Sequence, residues 1–230
     1  MKIIGLLGGM SLESTGLYYR WINEITKKQL GGLHSAKIAM VSLDFHDIEV
    51  LQHENKWDQA GRVLAGAARQ IEAAGADFLL ICTNTMHKVA AQIEEAINIP
   101  ILHIADATAD KIKQNNMKTI GLLGTSFTME EDFYKGRLIQ KHGLNIIVPR
   151  PEDREIIHRI IFEELCLGTI KDASRREYLR IMEQMRQEGA EGIIEGCTEI
   201  VMLVQQQHTN IPLFDTTVIH AEAAAVRALA

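Results

Sequence analysis

The stretch LLICTNTMH, residues 79 to 87, runs an apolar segment directly into a thiol, two hydroxyls and a carboxamide, at Cys82, Thr83, Thr85 and Asn84. A second stretch of similar make, EGIIEGCTEI at residues 191 to 200, ends on Cys197, Thr198 and Glu199. An ionised thiol is a base and a nucleophile, while hydroxyl, amide and backbone N–H groups suit a substrate carboxylate. A cysteine between a strand end and a helix N-terminus is expected to have a lowered pKa, because the helix dipole and free N–H groups favour thiolate. Cys197 is therefore a candidate base or nucleophile. The same residue types also fill plainer roles, since small cysteines pack in cores and Thr and Asn cap helices. Cys166, in FEELCLG near the end of an amphipathic helix, is assigned to packing.

Positioning such groups requires strand ends. Apolar runs bounded by Gly or Pro recur as KIIGLLGG, IAMVSLDF, DFLLICT and IPILHIAD, then as TIGLLGT, NIIVP, EGIIEGCT and IPLFDT. These read as buried parallel strands. Helix-period stretches lie between them at residues 13 to 28, 57 to 74, 88 to 96, 155 to 167 and 173 to 188. Such alternation predicts an α/β class with doubly wound parallel sheets, in which ligands sit at the carboxyl ends of strands.

The alternation repeats as a unit. IGLLG at residues 4 to 8 recurs 116 residues later, at 120 to 124. Gly75-Ala76-Asp77 is echoed 114 residues later by Gly189-Ala190-Glu191, and Asn-Ile-Pro at 98 to 100 returns at 210 to 212. Echoes in one order at nearly one spacing predict two pseudo-equivalent subdomains, residues 1–115 and 116–230, with the C-terminal helix free to pack back on the first and the site expected in the cleft between them. The 114-residue offset sets Thr83, and not Cys82, against Cys197. Adjacent side chains of an extended segment point to opposite faces, so Cys82 is expected to point into the core.

Composition narrows the partners. The 230 residues carry a net charge of −6 with scattered Lys and Arg, which argues against nucleic acid and anionic membranes and for a small-molecule substrate. No run is long and apolar enough for a membrane-spanning helix, and the opening MKIIGLLGGM reads as a first strand instead of a cleaved leader. Three cysteines without a C-x-x-C pair suggest reduced thiols in a cytoplasmic protein, with neither a disulfide framework nor zinc. The nine histidines show no metal-ligand spacing, and His87, His103 and His220 are read as core or supporting groups. His87, at the start of a helix, is placed to help polarise the site. The GGMS turn at residues 8 to 11 lacks the P-loop lysine and the G-x-G-x-x-G spacing, so it suits a carboxylate better than a nucleotide.

GLLGGMS, the N-T-x-H element at residues 84 to 87, GCTE at 196 to 199 and the two-half repeat together resemble the aspartate/glutamate racemases that work without pyridoxal phosphate. The resemblance covers the whole chain and extends to bacterial amino-acid racemases with Thr in place of the first cysteine. It implies a cofactor-independent, metal-free, two-base proton transfer at Cα of aspartate or glutamate by a homodimer. Cys197 is then the base on the L face and Thr83 the group opposite, with L-substrates preferred because a hydroxyl is a weaker base than a thiolate. Asn84, Thr85, Thr198 and Glu199 would bind substrate, and by similarity so would Met10, through its backbone, and Gln52. The alternatives are a maleate isomerase or arylmalonate decarboxylase type of the same superfamily, or a dicarboxylate-binding protein without turnover.

Overall fold

The run Ile4–Gly8 carries no polar side chain and is wholly buried, as a central parallel strand requires. In the computed structural model, which describes residues 1–230, this run is β1. It is followed by α1 (Leu12–Leu30), β2 (Ile38–Ser42), α2 (Phe45–His53), α3 (Trp57–Ala73), β3 (Phe78–Ile81), a 3₁₀ turn at Thr85–Val89, α4 (Ala90–Glu94) and α5 (Ile104–Gln114). The second half holds β4 (Thr119–Gly124), α6 (Ser126–Glu130), α7 (Lys135–Gln140), β5 (Asn145–Ile147), α8 (Pro151–Glu163), a 3₁₀ turn at Leu165–Leu167, α9 (Asp172–Gln187) and β6 (Gly192–Gly196). It ends with α10 (Ile200–Leu203), a 3₁₀ turn at Gln206–His208, β7 (Leu213–Asp215) and α11 (Thr216–Leu229).

The fold is α/β with two all-parallel sheets, ordered β2-β1-β3 and β5-β4-β6-β7. The chain divides into Met1–Ile104 with His220–Ala230, and Ala105–Ile219. The division expected between residues 115 and 116 thus falls earlier, at the start of α5, and the last part of α11 returns to the first unit. There Ala221, Ala224 and Ala228 pack against Ile4, Leu6, Phe78, Leu80 and Cys82. Small alanines at helical spacing let a helix approach a sheet closely. The other face of the first sheet is covered by α3, whose Leu64 and Ile71 are buried with Leu7, Leu79 and Ile81. Each such fully buried side chain contributes about 1.5–3 kcal/mol. In the second unit α8 and α9 bury Ile157, Ile161, Tyr178 and Met182 against Leu123 and Ile193.

One expected strand is missing. IPILHIAD makes a single bridge, Leu79 to Ile101, where its counterpart IPLFDT, with Pro212 in the same place, forms the three-residue β7. The repeat, by contrast, is visible in the registers. Leu7 of β1 pairs with Ile81 of β3, and Leu123 of β4 pairs with Glu195 of β6. Thr83 and Cys197 each stand two residues beyond those partners, at the carboxyl end of the strand next to the IGLLG strand of its own unit.

Candidate active site

In the first unit three loops meet at the carboxyl ends of the strands. After β1 the chain turns at Gly9, whose φ of +92° is in the left-handed region and whose absent Cβ would lie 2.1 Å from the Leu43 carbonyl oxygen. Met10 follows, buried in the core cluster beside Ile48 and Met86. Ser11 caps α1 by accepting from the Ser14 N–H. Ser14 then reaches across to β3, its hydroxyl donating to the Cys82 carbonyl at 2.9 Å. Cys82 is fully buried among Ile4, Leu6 and Tyr18, and burial pushes its thiol well above the ordinary range. It points into the core, as alternation along the strand predicts.

Thr83 is partly exposed, whereas Asn84 and Thr85 are buried. Here the chain enters a 3₁₀ turn in which the His87 N–H donates to the Asn84 carbonyl at 3.1 Å. The Thr83 carbonyl, passed over by that bond, accepts from His87 Nδ1 at 2.8 Å. The other ring nitrogen, Nε2, accepts the Ile104 N–H at 3.3 Å, so the two bonds together define a neutral Nδ1–H imidazole. Gln52, buried on α2, donates through Nε2 to Met86 Sδ at 3.0 Å, which ties its amide to the same turn. A cavity of about 240 Å³ lies beside Gly9, Ser11, Ser42 and Asp44 at the ends of β1 and β2. A larger one, about 280 Å³, sits at the amino end of β4 around Lys113, Lys118 and His142. It contains none of the candidate residues, and strand-end chemistry outweighs size in choosing between them.

In the second unit β6 ends in Gly196, and Cys197, Thr198 and Glu199 form the corner before α10. Cys197 is 8% exposed, and its Sγ donates to Glu199 Oε2 at 3.0 Å. The Thr198 hydroxyl donates to the same oxygen at 2.8 Å. One carboxylate oxygen therefore gathers both protons, and the Thr198 hydroxyl is turned to Glu199. The lowered pKa expected for Cys197 is not found. Burial pushes the thiol well above its ordinary value, and the charges of Glu199 and Cys166 and the hydrogen bond to Glu199 push the same way. The helix that was to lower it, α10, is a single turn of four residues with little dipole to offer.

Two features stand out, a residue that the sequence reading passed over and a grouping of residues that it named singly. Glu195, two positions before Cys197, is buried with Oε1 unpartnered; burial and then the charge of Asp215, its cross-strand neighbour, push its carboxyl well above the usual range. Its signal was a lone acid inside the apolar run GIIEGC. The second is the histidine group of the first unit. His220 accepts from the Tyr18 hydroxyl at 2.8 Å and donates to the Leu102 carbonyl at 2.7 Å. The rings of His87 and His103 lie 4.3 Å apart, and those of His87 and His220 6.2 Å. His87, His103 and His220 are buried in the core of the first unit, and no cluster of His, Cys, Asp or Glu in the structure could hold a metal ion.

Two repeated α/β units, one closing a strand on Thr-Asn-Thr and the other on a thiol held against a carboxylate, define a class of protein that sets a hydroxyl and a thiol at equivalent strand ends. Residues 7–224 match the model of the Asp/Glu/hydantoin racemase family, and the chain belongs to that family. It is an isomerase of the racemase type. The chain is 22% identical over 227 residues to the broad specificity amino-acid racemase RacX of Bacillus subtilis, covering 94% of this chain and 93% of that one. A crystal structure of a provisional Asp/Glu racemase from Yersinia pestis is 56% identical with a TM-score of 0.94, covering 100% of both chains. An aspartate racemase homologue from Pyrococcus horikoshii is 33% identical with a TM-score of 0.86, again over 100% of both.

Proposed function

We propose that the protein is a cofactor-independent racemase of aspartate and glutamate that prefers the L-enantiomers, with Cys197 as the base on the L face of Cα and Thr83 as the acid on the other. The observation that carries this reading is the Cys197–Glu199 contact at 3.0 Å. A thiol with a raised pKa is a poor resting nucleophile. Its thiolate is correspondingly a stronger base, which an amino-acid Cα–H demands. In the forward step the thiol proton passes to Glu199 and the thiolate removes the Cα proton. The Thr83 hydroxyl then delivers its own proton to the opposite face and regains one from solvent, while Glu199 releases the thiol proton to solvent, which restores both groups. No atom is added or lost, and the centre inverts.

The planar intermediate places negative charge on the substrate carboxylate, so oriented donors must hold it. The backbone N–H groups of Asn84, Thr85 and Thr198 are assigned that role, with Met10, through its backbone, and Gln52 against the rest of the substrate. Glu199 is assigned proton acceptance from Cys197 in addition to substrate contact. RacX, by its name, has broad specificity, which supports a tolerant site. Free thiols at all three cysteines fit work in the cytoplasm, and no helix is long and apolar enough to cross a membrane. A homodimer rests on the resemblance, and sedimentation of the purified chain tests it.

The deciding experiment is deuterium incorporation at Cα in D2O, read separately for each enantiomer without added pyridoxal phosphate. Fast exchange from L-aspartate or L-glutamate with slow exchange from the D forms is expected. Equal or faster exchange from the D forms would overturn the asymmetry. Stabilisation by aspartate with no exchange from either form would make the protein a binder and not a catalyst.

A further inference from the structure

The structure assigns to His87 a positioning role: it aims the Thr83–Asn84 peptide so that the Asn84 N–H faces outward from the strand end, toward the substrate carboxylate. This inference rests on the racemase reading for its ligand, and on geometry alone for the aim.

Two carbonyls in succession at the end of β3 are bonded by side chains instead of by the sheet. The Cys82 carbonyl is taken by the Ser14 hydroxyl and the Thr83 carbonyl by His87 Nδ1, at 2.9 and 2.8 Å. An α-helical turn starting here would have used the His87 backbone N–H for the Thr83 carbonyl. The 3₁₀ turn spends that N–H on Asn84, and the imidazole of the same residue replaces it. The only cis peptide is Met10–Ser11, so the Thr83–Asn84 peptide is trans. In a trans peptide the C=O and the following N–H are antiparallel. Fixing the Thr83 oxygen toward the buried imidazole therefore directs the Asn84 N–H the opposite way.

The ring itself has no freedom to turn. The Ile104 N–H holds Nε2 at 3.3 Å, and the His103 ring packs against the imidazole at a centroid distance of 4.3 Å. His87 is 3% exposed, so it does not meet substrate directly and is not a catalytic residue. Its contribution is preorganisation: a donor that already points at developing charge costs no reorganisation when that charge forms.

The test uses three variants that differ in where a donor can sit. In His87→Asn the side-chain NH2 occupies the Nδ1 position and can still reach the Thr83 carbonyl. In His87→Gln the donor falls near Nε2, and in His87→Leu there is none. Cα exchange from L-substrate is expected to fall about 10-fold or more in kcat/KM for Gln and Leu, mainly in kcat, and to recover to within about 3-fold of wild type for Asn. A merely structural role would order the three by melting temperature instead, and would not separate Asn from Gln. Equal losses in Asn and Gln, or an active Leu variant, would overturn the assignment. The amide resonance of Asn84 gives a readout independent of turnover: it should shift in the Gln and Leu variants and stay near wild type in Asn. If the wild-type protein exchanged no Cα proton, the racemase reading would fail while this amide comparison still decided the positioning role.

Discussion

The two strand ends share a backbone frame and treat their reactive residue in opposite ways. At the end of β3 the side chains that hold the strand end are neutral: Ser14 and an uncharged His87 take consecutive carbonyls, and Thr83 itself is left partly exposed. At the end of β6 the reactive residue is buried and set against a charge, with Cys197 and Thr198 both donating to one oxygen of Glu199. The first end is organised through backbone geometry, the second through electrostatics. Duplicated units can thus keep register while the chemistry at each copy diverges, because register depends on strand partners such as Leu7 and Leu123 and not on the corner residues that follow.

The largest effect should come from the charged end. Cys197→Ser replaces the base by a hydroxyl, and exchange from L-substrate is expected to fall by about 10³-fold or more. Retention of exchange near the wild-type rate would remove Cys197 from the mechanism. Glu199→Gln should lower exchange by about 10–100-fold by removing the acceptor of the thiol proton. Because burial and then the Glu199 charge raise the thiol pKa, this variant should also ionise at lower pH, read by thiolate absorbance or alkylation rate across a pH series. A thiol that titrated at the same pH in both proteins would show that Glu199 does not set its basicity. At the neutral end, Thr83→Cys should raise exchange from D-substrate by about 10-fold, making the two ends more alike. No gain would mean that the asymmetry lies elsewhere.

Much of this contrast was legible in the residues. The repeated IGLLG and the Gly-Ala-acid echoes mark equivalent strands, and their offsets agree with the registers formed. Alternation placed Cys82 in the core. What the residues concealed was the sign of the Cys197 shift, because Glu199, expected to contact substrate, has its side chain folded back two residues onto the thiol. The return of α11 to the first unit was open for a similar reason. Alanine spacing shows that the helix fits closely against something, and only the contacts of Ala221, Ala224 and Ala228 say against what. The 3₁₀ geometry of residues 85 to 89, where a helix was expected from 88 onward, depends on an imidazole competing with a backbone N–H, which no periodicity reports.

The neutrality of the first end has a pH signature of its own. Burial, then repulsion from His87 wherever that ring is protonated as well, push His220 down from 6.5 to about 3, against a smaller opposing effect of its bond to Leu102. The unfolded chain therefore takes up this proton first as pH falls. Stability from this group is whole above about pH 6.5 and is lost as pH drops toward 3, with a slope of at most about 1.4 kcal/mol per pH unit. His220→Gln keeps a donor for Leu102 and removes the titration. Urea unfolding at about pH 7 and about pH 5 should show a steeper loss for wild type than for the variant. Parallel losses would mean that the imidazole is protonated in the folded protein.

The smallest effect separates the two cysteines that the sequence sets at matching strand ends. Cys82 is fully buried, its thiol pushed up by burial, and its peptide held by Leu7 through the N–H and by Ser14 through the carbonyl. Neither of those bonds involves the sulfur. Cys82→Ala therefore keeps the backbone that carries Thr83 in place and removes one buried atom, at about 1 kcal/mol of stability. Exchange from L-substrate should stay within about 2-fold of wild type, since no group at the reacting centre is lost. If Cys82→Ala abolished exchange while Cys197→Ser preserved it, the 114-residue register would be off by one, and the thiol beside Thr83 would be the working base.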